Sequence, residues 1–322
     1  MKSLKDCRIL VTATSYGRYN PELITVLEAA VTEVIYNTTG KPLSSKAVSE
    51  MLPGIDGYIA GLDHIDHGAL TTADKLKVIA RYGVGIDRVD LNAAKEKGII
   101  VTNTPGANSA SVAEIALTMM IMLARKIPQA TQELHKGSWP RVHGISLEGK
   151  TVGILGLGAI GKKLALRLVG FNCYIIAYDP YADSDFAREH HVQLVDQEKL
   201  ITSSDFISLH LPVLDSTHGM VDDTFFHSMK DGAILINTSR GEIIDEKALI
   251  RSLQSGKLGG AGLDAFTKEP PDASNPLLSM PNVVCTPHLG AHSDSATNAM
   301  GKMAMEECLA VLEGKIPKYQ VN

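Results

Sequence analysis

Residues 151–179 read TVGILGLGAIGKKLALRLVGFNCYIIAYD. An apolar run enters a glycine-rich turn, a helical pattern follows, and a second apolar run ends on an acid. This order predicts one β-α-β unit that holds a dinucleotide. Gly156, Gly158 and Gly161 stand at G-x-G-x-x-G spacing. The first glycine allows the tight turn, the second lets the backbone approach a pyrophosphate, and the third lets the helix pack on the strand.

The acid that ends the second strand is Asp179. A carboxylate there can accept hydrogen bonds from both ribose hydroxyls and would repel a 2′-phosphate, so the unit is predicted to bind NAD rather than NADP. The predicted helix over residues 159–169 would direct its free N–H groups and positive dipole end at the phosphates. In the alternative interpretation, Asp179 only caps the strand before Pro180.

Composition limits the class of protein. The 322 residues are enough for two domains, and 44% hydrophobic with 21% charged residues is typical of a globular protein. A net charge of -5 without a basic tract argues against nucleic-acid binding. The most apolar segment, residues 115–124, is too short to span a membrane. The four scattered cysteines predict reduced thiols in a cytoplasmic protein.

Strands and helices alternate on both sides of this unit, which predicts two doubly wound parallel sheets. The predicted strands before it are residues 7–13, 31–36, 57–60, 76–81 and 99–102, with helices at 21–30 and 45–51. The predicted strands after it are residues 205–210, 233–237, 260–263 and 282–285, with helices at 223–229 and 245–255.

Two longer helices are predicted at residues 108–135 and 293–312. The first has an apolar centre, so we expect it to cross between domains or to line a subunit interface. If the second returns to the first domain, the dinucleotide domain is an insertion. The predicted domains are therefore a substrate domain of residues 1–103 with 293–322, and a dinucleotide-binding domain of residues 104–292.

Three segments after the β-α-β unit of residues 151–179 place ionisable residues at strand ends, where doubly wound sheets hold their ligands. Arg240 follows a strand within NTSRG and offers a planar fork of donors that matches a carboxylate. Glu269 stands before a proline pair, and His288 follows a strand within CTPHLGAHS. Histidine is suited to proton exchange near neutral pH. Taken singly, each residue could also be an ordinary solvated loop side chain.

The ordered set of motifs resembles the D-isomer-specific 2-hydroxyacid dehydrogenases from end to end. The matching segments are ARYGVGIDRVD, NTPGANSASVAE, GLGAIG with its acid, HLPVLDST, NTSRG, DAFTKEP and TPHLGAHS. The resemblance implies an α/β fold, in which an NAD-binding Rossmann domain is inserted in a discontinuous flavodoxin-like substrate domain. It also implies NAD-dependent hydride transfer between a small D-2-hydroxy acid and its 2-keto acid.

The resemblance implies roles for individual residues. Arg240 would bind the substrate carboxylate and keto oxygen, His288 would be the acid-base catalyst, and Glu269 would pair with His288 and orient it. The backbone of Val84 and Gly85 would hold the carboxylate in an anion nest. The implied NAD site comprises Gly156, Gly158, Ala159, Ile160, Gly161, Asp179, Leu211, Pro212, Thr217, Thr238, Ser239, Asp264 and Gly290.

Within the family, the N-terminal third resembles the short phosphoglycerate dehydrogenases most, which implies 3-phosphoglycerate as substrate and serine biosynthesis as the role. Some of these enzymes use an arginine in the loop after the third strand, where this chain reads Gly61, Leu62 and Asp63. Phosphate recognition would then need another base, and the candidates are Arg18, Lys41 and Arg81. All three could equally be solvated surface charges.

Other functions remain open at this stage. The alternative substrates are glyoxylate, hydroxypyruvate or another 2-keto acid, and an NAD-sensing corepressor-like protein is a different class. The expected partners are the small-molecule acid and a second copy of the chain, with no nucleic acid and no membrane. His190 and His191 are adjacent and therefore lie on different faces of a helix or strand, so they do not predict a shared metal. His64 and His67 could meet on a helix turn, but without a third ligand of matching context they do not predict a metal site either.

Overall fold

The computed structural model describes residues 3–322, which form two compact α/β units. The first unit consists of the chain through Asn108 together with Ala291–Asn322, and the second unit is Ser109–Gly290. The predicted boundaries were 103/104 and 292/293.

The first unit is built on a five-stranded parallel sheet in the order β2-β1-β3-β4-β5. Two of the three interior strands, β3 and β4, are buried along their whole length, as expected for a parallel sheet covered on both faces. The strands are β1 Arg8–Val11, β2 Glu33–Tyr36, β3 Gly57–Ala60, β4 Val78–Arg81 and β5 Ile100–Thr102.

Helices cover both faces of this sheet. Helix α12, Asp294–Leu312, packs on β3, β4 and α1, so the end of the chain completes the first unit. Ser293 caps α12 by accepting a hydrogen bond from the Ala296 amide. The other helices of this unit are α1 Glu22–Ala30, α2 Ser45–Met51, α3 His67–Leu70 and α4 Leu91–Glu96.

The second unit is built on a seven-stranded parallel sheet in the order β12-β11-β10-β9-β6-β7-β8. The chain runs outward from β6 through β7 and β8, then returns to β9 and runs outward the other way. The order therefore reverses between β6 and β9. The strands are β6 Thr151–Leu155, β7 Tyr174–Tyr178, β8 Gln193–Leu194, β9 Phe206–Leu209, β10 Ala233–Asn237, β11 Leu258–Leu263 and β12 Val283–Cys285.

Two apolar clusters cover the two faces of the second sheet. Helices α5 and α7 contribute Met120 and Leu164 to one cluster, and α10 and α11 contribute Phe226 and Leu249 to the other. All four side chains are fully buried. The helices are α5 Ser109–Ala124, α6 Ile127–His135, α7 Ala159–Leu168, α8 Ser184–Glu189, α9 Gln197–Ser203, α10 Asp223–Ser228 and α11 Glu246–Gln254.

The predicted fold class, two doubly wound parallel sheets, is confirmed. The single helix predicted at 108–135 is wrong, because Lys126 adopts a left-handed conformation and separates α5 from α6. Pro128 has no N–H to offer the Ala124 carbonyl, and that carbonyl instead accepts a hydrogen bond of 2.8 Å from Ile145. The apolar centre of α5 is buried within the core of the second unit itself.

The short elements α3, α4, β8, α8 and α9 were not predicted. Each spans only two to seven residues, too few for an apolar period to stand out. None of the helices that the structure describes over residues 3–322 is both long and apolar enough to cross a membrane.

Candidate active site and cofactor-binding site

The glycine-rich turn follows β6 and meets the loop after β9, where the strand order reverses. Gly156 has φ = +99°, and a Cβ on it would lie 2.4 Å from the His210 carbonyl oxygen. A Cβ on Gly161 would lie 2.2 Å from the Gly156 carbonyl oxygen. Both positions therefore exclude any side chain, because turn, strand and helix are in direct contact there.

Gly158 differs from these two glycines because no described atom lies within 4 Å of an added Cβ. It is the N-cap of α7 and has no side-chain cap, whereas Asp183, Asp196 and Asp222 cap the α8, α9 and α10 helices. The first turn of α7 thus has no side-chain cap, and the space beside its N-cap residue is open. This arrangement fits a pyrophosphate, which takes both the space and the amide donors.

The carboxylate of Asp179 lies beside the same turn. One oxygen accepts a hydrogen bond of 2.8 Å from the Leu157 amide, and the other accepts one of 2.8 Å from the Tyr181 amide. Asp179 therefore caps the segment after β7, as the alternative interpretation supposed, and also holds its carboxylate next to the glycine-rich turn. Each oxygen keeps acceptor capacity for a ribose hydroxyl.

The loops after β9 and β10 carry further predicted cofactor residues. Thr217 closes its own loop, since its hydroxyl donates to the Pro212 carbonyl at 2.6 Å and accepts from the Leu214 amide at 2.8 Å. The Thr238 hydroxyl is buried and has no hydrogen-bond partner among residues 3–322. Ala159 and Ile160 lie in the first turn of α7, and Leu211 follows His210.

His210 is a half-buried titratable residue of this region. Its Nε2 lies 2.9 Å from the Ser208 hydroxyl oxygen, and its Nδ1 is buried with no partner among the described residues. Burial lowers the pKa of His210 to about 4, since the charged imidazolium would lose its hydration. The ring is therefore neutral at physiological pH.

Arg240 follows β10, and a buried asparagine shapes its turn. The Asn237 amide nitrogen donates to the Arg240 carbonyl at 2.8 Å, while its oxygen accepts from both the amide and the hydroxyl of Ser239. The Arg240 guanidinium donates to the Ser239 carbonyl at 2.8 Å. Asn237 thus determines where the arginine leaves the sheet, a role that the sequence analysis did not assign.

The turn after β10 lies directly against the loop after β11. A Cβ on Gly241 would lie 2.0 Å from the Phe266 carbonyl carbon and 2.1 Å from the Thr267 amide nitrogen. Only a glycine allows this approach. The contact brings the segment that carries Arg240 beside the segment that carries Glu269.

Glu269 and His288 form a direct pair. The His288 Nδ1 lies 3.0 Å from each carboxylate oxygen of Glu269, and both side chains are about a quarter exposed. The Phe266 amide donates to the same carboxylate at 3.2 Å. His288 itself has φ = +55°, a left-handed conformation that is uncommon outside glycine.

The loop that imposes this conformation on His288 is held by Asp264. This carboxylate is 2% exposed and accepts from the Thr286 hydroxyl at 2.5 Å, the Leu289 amide at 2.6 Å and the Gly290 amide at 2.7 Å. The structure therefore directs Asp264 toward the loop that carries His288. Its predicted contact with NAD remains a prediction.

The residues predicted to contact substrate from the first unit lie in the loop after β4. Val84 is exposed and Gly85 is half-buried. Among the candidate phosphate ligands, Arg18 and Lys41 are exposed. Arg81 is only 3% exposed and donates to two backbone carbonyls, so it is not the solvated surface charge that the sequence allowed.

Comparison with known proteins decides the family. The profile of the D-isomer specific 2-hydroxyacid dehydrogenase NAD binding domain matches residues 117–290. The chain belongs to the D-isomer specific 2-hydroxyacid dehydrogenase family. The predicted family and the predicted NAD cofactor are thereby confirmed.

Relatives within this family carry several names. The chain is 44% identical to a D-3-phosphoglycerate dehydrogenase of Methanocaldococcus jannaschii over 80% of its length and 50% of that protein. It is 39% identical to a hydroxypyruvate reductase of Thermotoga maritima over 90% of its length and 97% of that protein. The chain thus spans about half the length of the phosphoglycerate dehydrogenases it matches.

A solved structure of the family carries the cofactor. The D-lactate dehydrogenase of Aquifex aeolicus, complexed with NAD and lactic acid, superposes with a TM-score of 0.82. The two chains are 27% identical, and the match covers 95% of this chain and 96% of that one.

We expect Gly158→Ala to weaken cofactor binding without disturbing the fold. The added methyl group meets no described atom, but it takes space that we assign to the pyrophosphate. The NADH dissociation constant should rise about tenfold or more, or about 1.4 kcal/mol, with little change in melting temperature. Fluorescence titration with NADH measures the first quantity and thermal melting the second. Wild-type affinity in the variant would show that the pyrophosphate lies elsewhere.

We expect His210 to make the protein less stable in acid. Its pKa is about 4 in the folded state and about 6.5 when unfolded, so protons bind preferentially to the unfolded chain between these values. The free energy of unfolding should fall as the pH drops from about 6.5 to 4, by up to a few kcal/mol. Urea titrations of wild type and His210→Gln measure this slope. The exposed His67→Gln variant is the control and should keep the wild-type slope.

Proposed function

We propose that the chain is an NAD-dependent dehydrogenase that interconverts a small D-2-hydroxy acid and its 2-keto acid. The observation that carries the proposal is the pair formed by His288 and Glu269, with 3.0 Å between Nδ1 and each carboxylate oxygen. The pair stands at the carboxyl ends of β11 and β12, in the unit that matches the family's NAD binding domain.

The pair determines which nitrogen of His288 exchanges protons. An ionised carboxylate only accepts hydrogen bonds, so Glu269 keeps a proton on Nδ1 and leaves Nε2 as the reactive nitrogen. In the oxidative direction Nε2 takes the hydroxyl proton of the acid, and Glu269 stabilises the imidazolium that results. In the reductive direction the same nitrogen returns the proton to the carbonyl oxygen.

Arg240 supplies the positive charge for the substrate. Its guanidinium can bind a carboxylate through two parallel hydrogen bonds and can also polarise a keto oxygen. Asn237 and Ser239 hold the backbone of this turn, so the arginine enters the site from a rigid support. We propose that the Val84 and Gly85 amides also donate hydrogen bonds to the substrate carboxylate.

The glycine-rich turn, the N-terminus of α7 and Asp179 would hold the cofactor. When bound, NAD accepts the hydride from the substrate C2 carbon or returns it. The residues of the chain bind the acid, orient it, and move the proton at His288 Nε2.

We propose 3-phosphoglycerate and 3-phosphohydroxypyruvate as the substrate pair, which would place the chain in serine biosynthesis. The support is the 41–44% identity to several D-3-phosphoglycerate dehydrogenases. The exposed Arg18 and Lys41 are the remaining phosphate candidates in the first unit.

A second candidate is the reduction of an unphosphorylated 2-keto acid, such as hydroxypyruvate or glyoxylate. Two observations favour it. The match to the Thermotoga maritima hydroxypyruvate reductase covers 97% of that protein, whereas the match to phosphoglycerate dehydrogenases covers about half of theirs. In addition, Arg81, one of the three candidate phosphate ligands, is buried and uses its guanidinium to hold backbone carbonyls, which makes it a poor phosphate ligand.

Steady-state kinetics test both candidates. NADH oxidation should be measured with 3-phosphohydroxypyruvate, hydroxypyruvate and glyoxylate, and the ratio of kcat/KM for the first two identifies the phosphate preference. We expect His288→Ala to lower kcat about 100-fold or more, and Arg240→Ala to lower kcat and raise KM together. The exposed His67→Ala variant is the matched control. NADH binding without turnover of any acid would contradict the enzyme and favour an NAD-sensing binding protein.

We further propose that the protein is a cytoplasmic homodimer that uses α6 and the segment after it. Helix α6 buries none of its residues, and Leu134, Trp139 and Ile145 are all more than 40% exposed. Such an apolar surface is typical of an interface. Sedimentation velocity should give a dimer for wild type and for the exposed-aromatic control Tyr174→Glu, but a monomer for Leu134→Glu with Trp139→Glu. A monomeric wild type at micromolar concentration would contradict this.

A further inference from the structure

In the loop after β4, three consecutive carbonyl groups accept hydrogen bonds from other residues of the first unit. The Gly83 carbonyl accepts from the Thr104 amide at 3.1 Å. The Val84 carbonyl accepts from the Asn103 side-chain amide at 2.8 Å, and the Gly85 carbonyl accepts from Arg81 Nε at 3.1 Å. Two of these three bonds come from side chains.

Each carbonyl group lies in one planar peptide unit with the N–H of the next residue. The bond to the Gly83 carbonyl therefore fixes the Val84 N–H, and the Asn103 bond to the Val84 carbonyl fixes the Gly85 N–H. The Arg81 bond to the Gly85 carbonyl fixes the following peptide unit and so limits rotation about Gly85. No acceptor within residues 3–322 takes the N–H of Val84 or Gly85. Val84 is exposed and Gly85 is half-buried, so the two donors are accessible. Successive N–H groups of this kind form a concave site for an anion.

Arg81 connects this loop to the sheet beneath it. The side chain is 3% exposed, and two of its hydrogen bonds run to different segments. Nη1 donates to the Ala60 carbonyl at 2.8 Å, and Nε donates to the Gly85 carbonyl. Ala60 is the last residue of β3, which pairs with β4. The planar guanidinium therefore sets the distance between the β3 end and the loop, which a flexible lysine could not do.

We propose that Arg81 and Asn103 are positioning residues for the carboxylate of the substrate. Asn103 holds the Val84 carbonyl and with it the N–H of Gly85, and Arg81 holds the Gly85 carbonyl on the other side of the same residue. The Gly85 amide is thereby kept beside the Val84 amide, and the two face the anion. The inference rests on the proposed function, in which these amides bind the acid. Neither side chain contacts the substrate itself.

Orientation of the peptide groups, rather than the charge of Arg81, carries this role. The buried Tyr58 hydroxyl donates to the Asp63 carboxylate at 2.9 Å. Burial raises the pKa of Tyr58 and Asp63 raises it further, whereas Arg81 lowers it, so the carboxylate and the guanidinium act in opposite directions on one buried hydroxyl. Asn103 is neutral and makes the same kind of bond as Arg81.

Binding of oxalate to the NADH-loaded protein tests the proposal without turnover. Oxalate is a dicarboxylate that cannot accept a hydride at a keto carbon, and ¹⁵N–¹H spectra report on the Val84 and Gly85 amides directly. In wild type, both amides should shift saturably. In Asn103→Ala the oxalate dissociation constant should rise about tenfold, the usual effect of losing one such bond.

Asn37→Ala is the matched control, because its side-chain amide donates to the Lys41 carbonyl at the same 2.8 Å, after the edge strand β2. It should bind oxalate as wild type does. Arg81→Lys keeps the charge but loses the planar fork, and it should weaken oxalate binding as Asn103→Ala does. In kinetics with glyoxylate, Asn103→Ala should raise KM and leave kcat and NADH affinity nearly unchanged.

Two results would overturn the inference. One is wild-type oxalate affinity in both Asn103→Ala and Arg81→Lys, and the other is the absence of any shift of the Val84 and Gly85 amides in wild type. Failure of the proposed function gives a different pattern. Oxalate still shifts the signals of the two amides, and the variants still weaken oxalate binding, but no 2-keto acid is reduced. Asn103 lies outside the core, so we expect Asn103→Ala to fold as wild type does. The test therefore holds even if Arg81→Lys lowers stability.

Discussion

The candidate site depends on one buried carboxylate. Asp264 stands at the end of β11 and accepts three hydrogen bonds from the loop after β12, including two backbone amides. These bonds hold His288 in its left-handed conformation and keep Nδ1 within 3.0 Å of Glu269. A carboxyl group that is 2% exposed needs hydrogen-bond donors from the protein, so moving the loop away would leave its oxygens buried without partners at a large energetic cost.

On both sheets, polar side chains at strand ends hold a neighbouring loop by hydrogen bonds to its backbone. In the second unit, Asn237 holds the turn that carries Arg240 through hydrogen bonds to the backbone. In the first unit, Arg81 and Asn103 hold the carbonyl groups of the loop after β4. In each case a polar side chain at a strand end satisfies backbone groups of a loop. The loop then presents its reactive or binding groups on a rigid support.

Much of this arrangement could be predicted from local patterns. The apolar runs and the glycine spacing predicted the strands, and the order of the motifs predicted the residues after β10, β11 and β12. The continuous helix at 108–135 was wrong, because its apolar pattern continues across Lys126 while Pro128 removes a backbone donor. The roles of Asn237 and Arg81 were not found, because their partners are backbone carbonyls and amides that no residue pattern reveals.

The sequence by itself determined the parallel sheets, the cofactor and the identity of the ionisable residues, since these follow from hydrophobic period, glycine spacing and side-chain chemistry. Only the tertiary structure decided which of these residues meet. His288 and Glu269 are 19 residues apart in the chain, and they pair because β11 and β12 are neighbours whose carboxyl ends share one edge. It also decided that Arg81 is buried rather than solvated, because burial depends on strand order and on α12 returning from the far end of the chain.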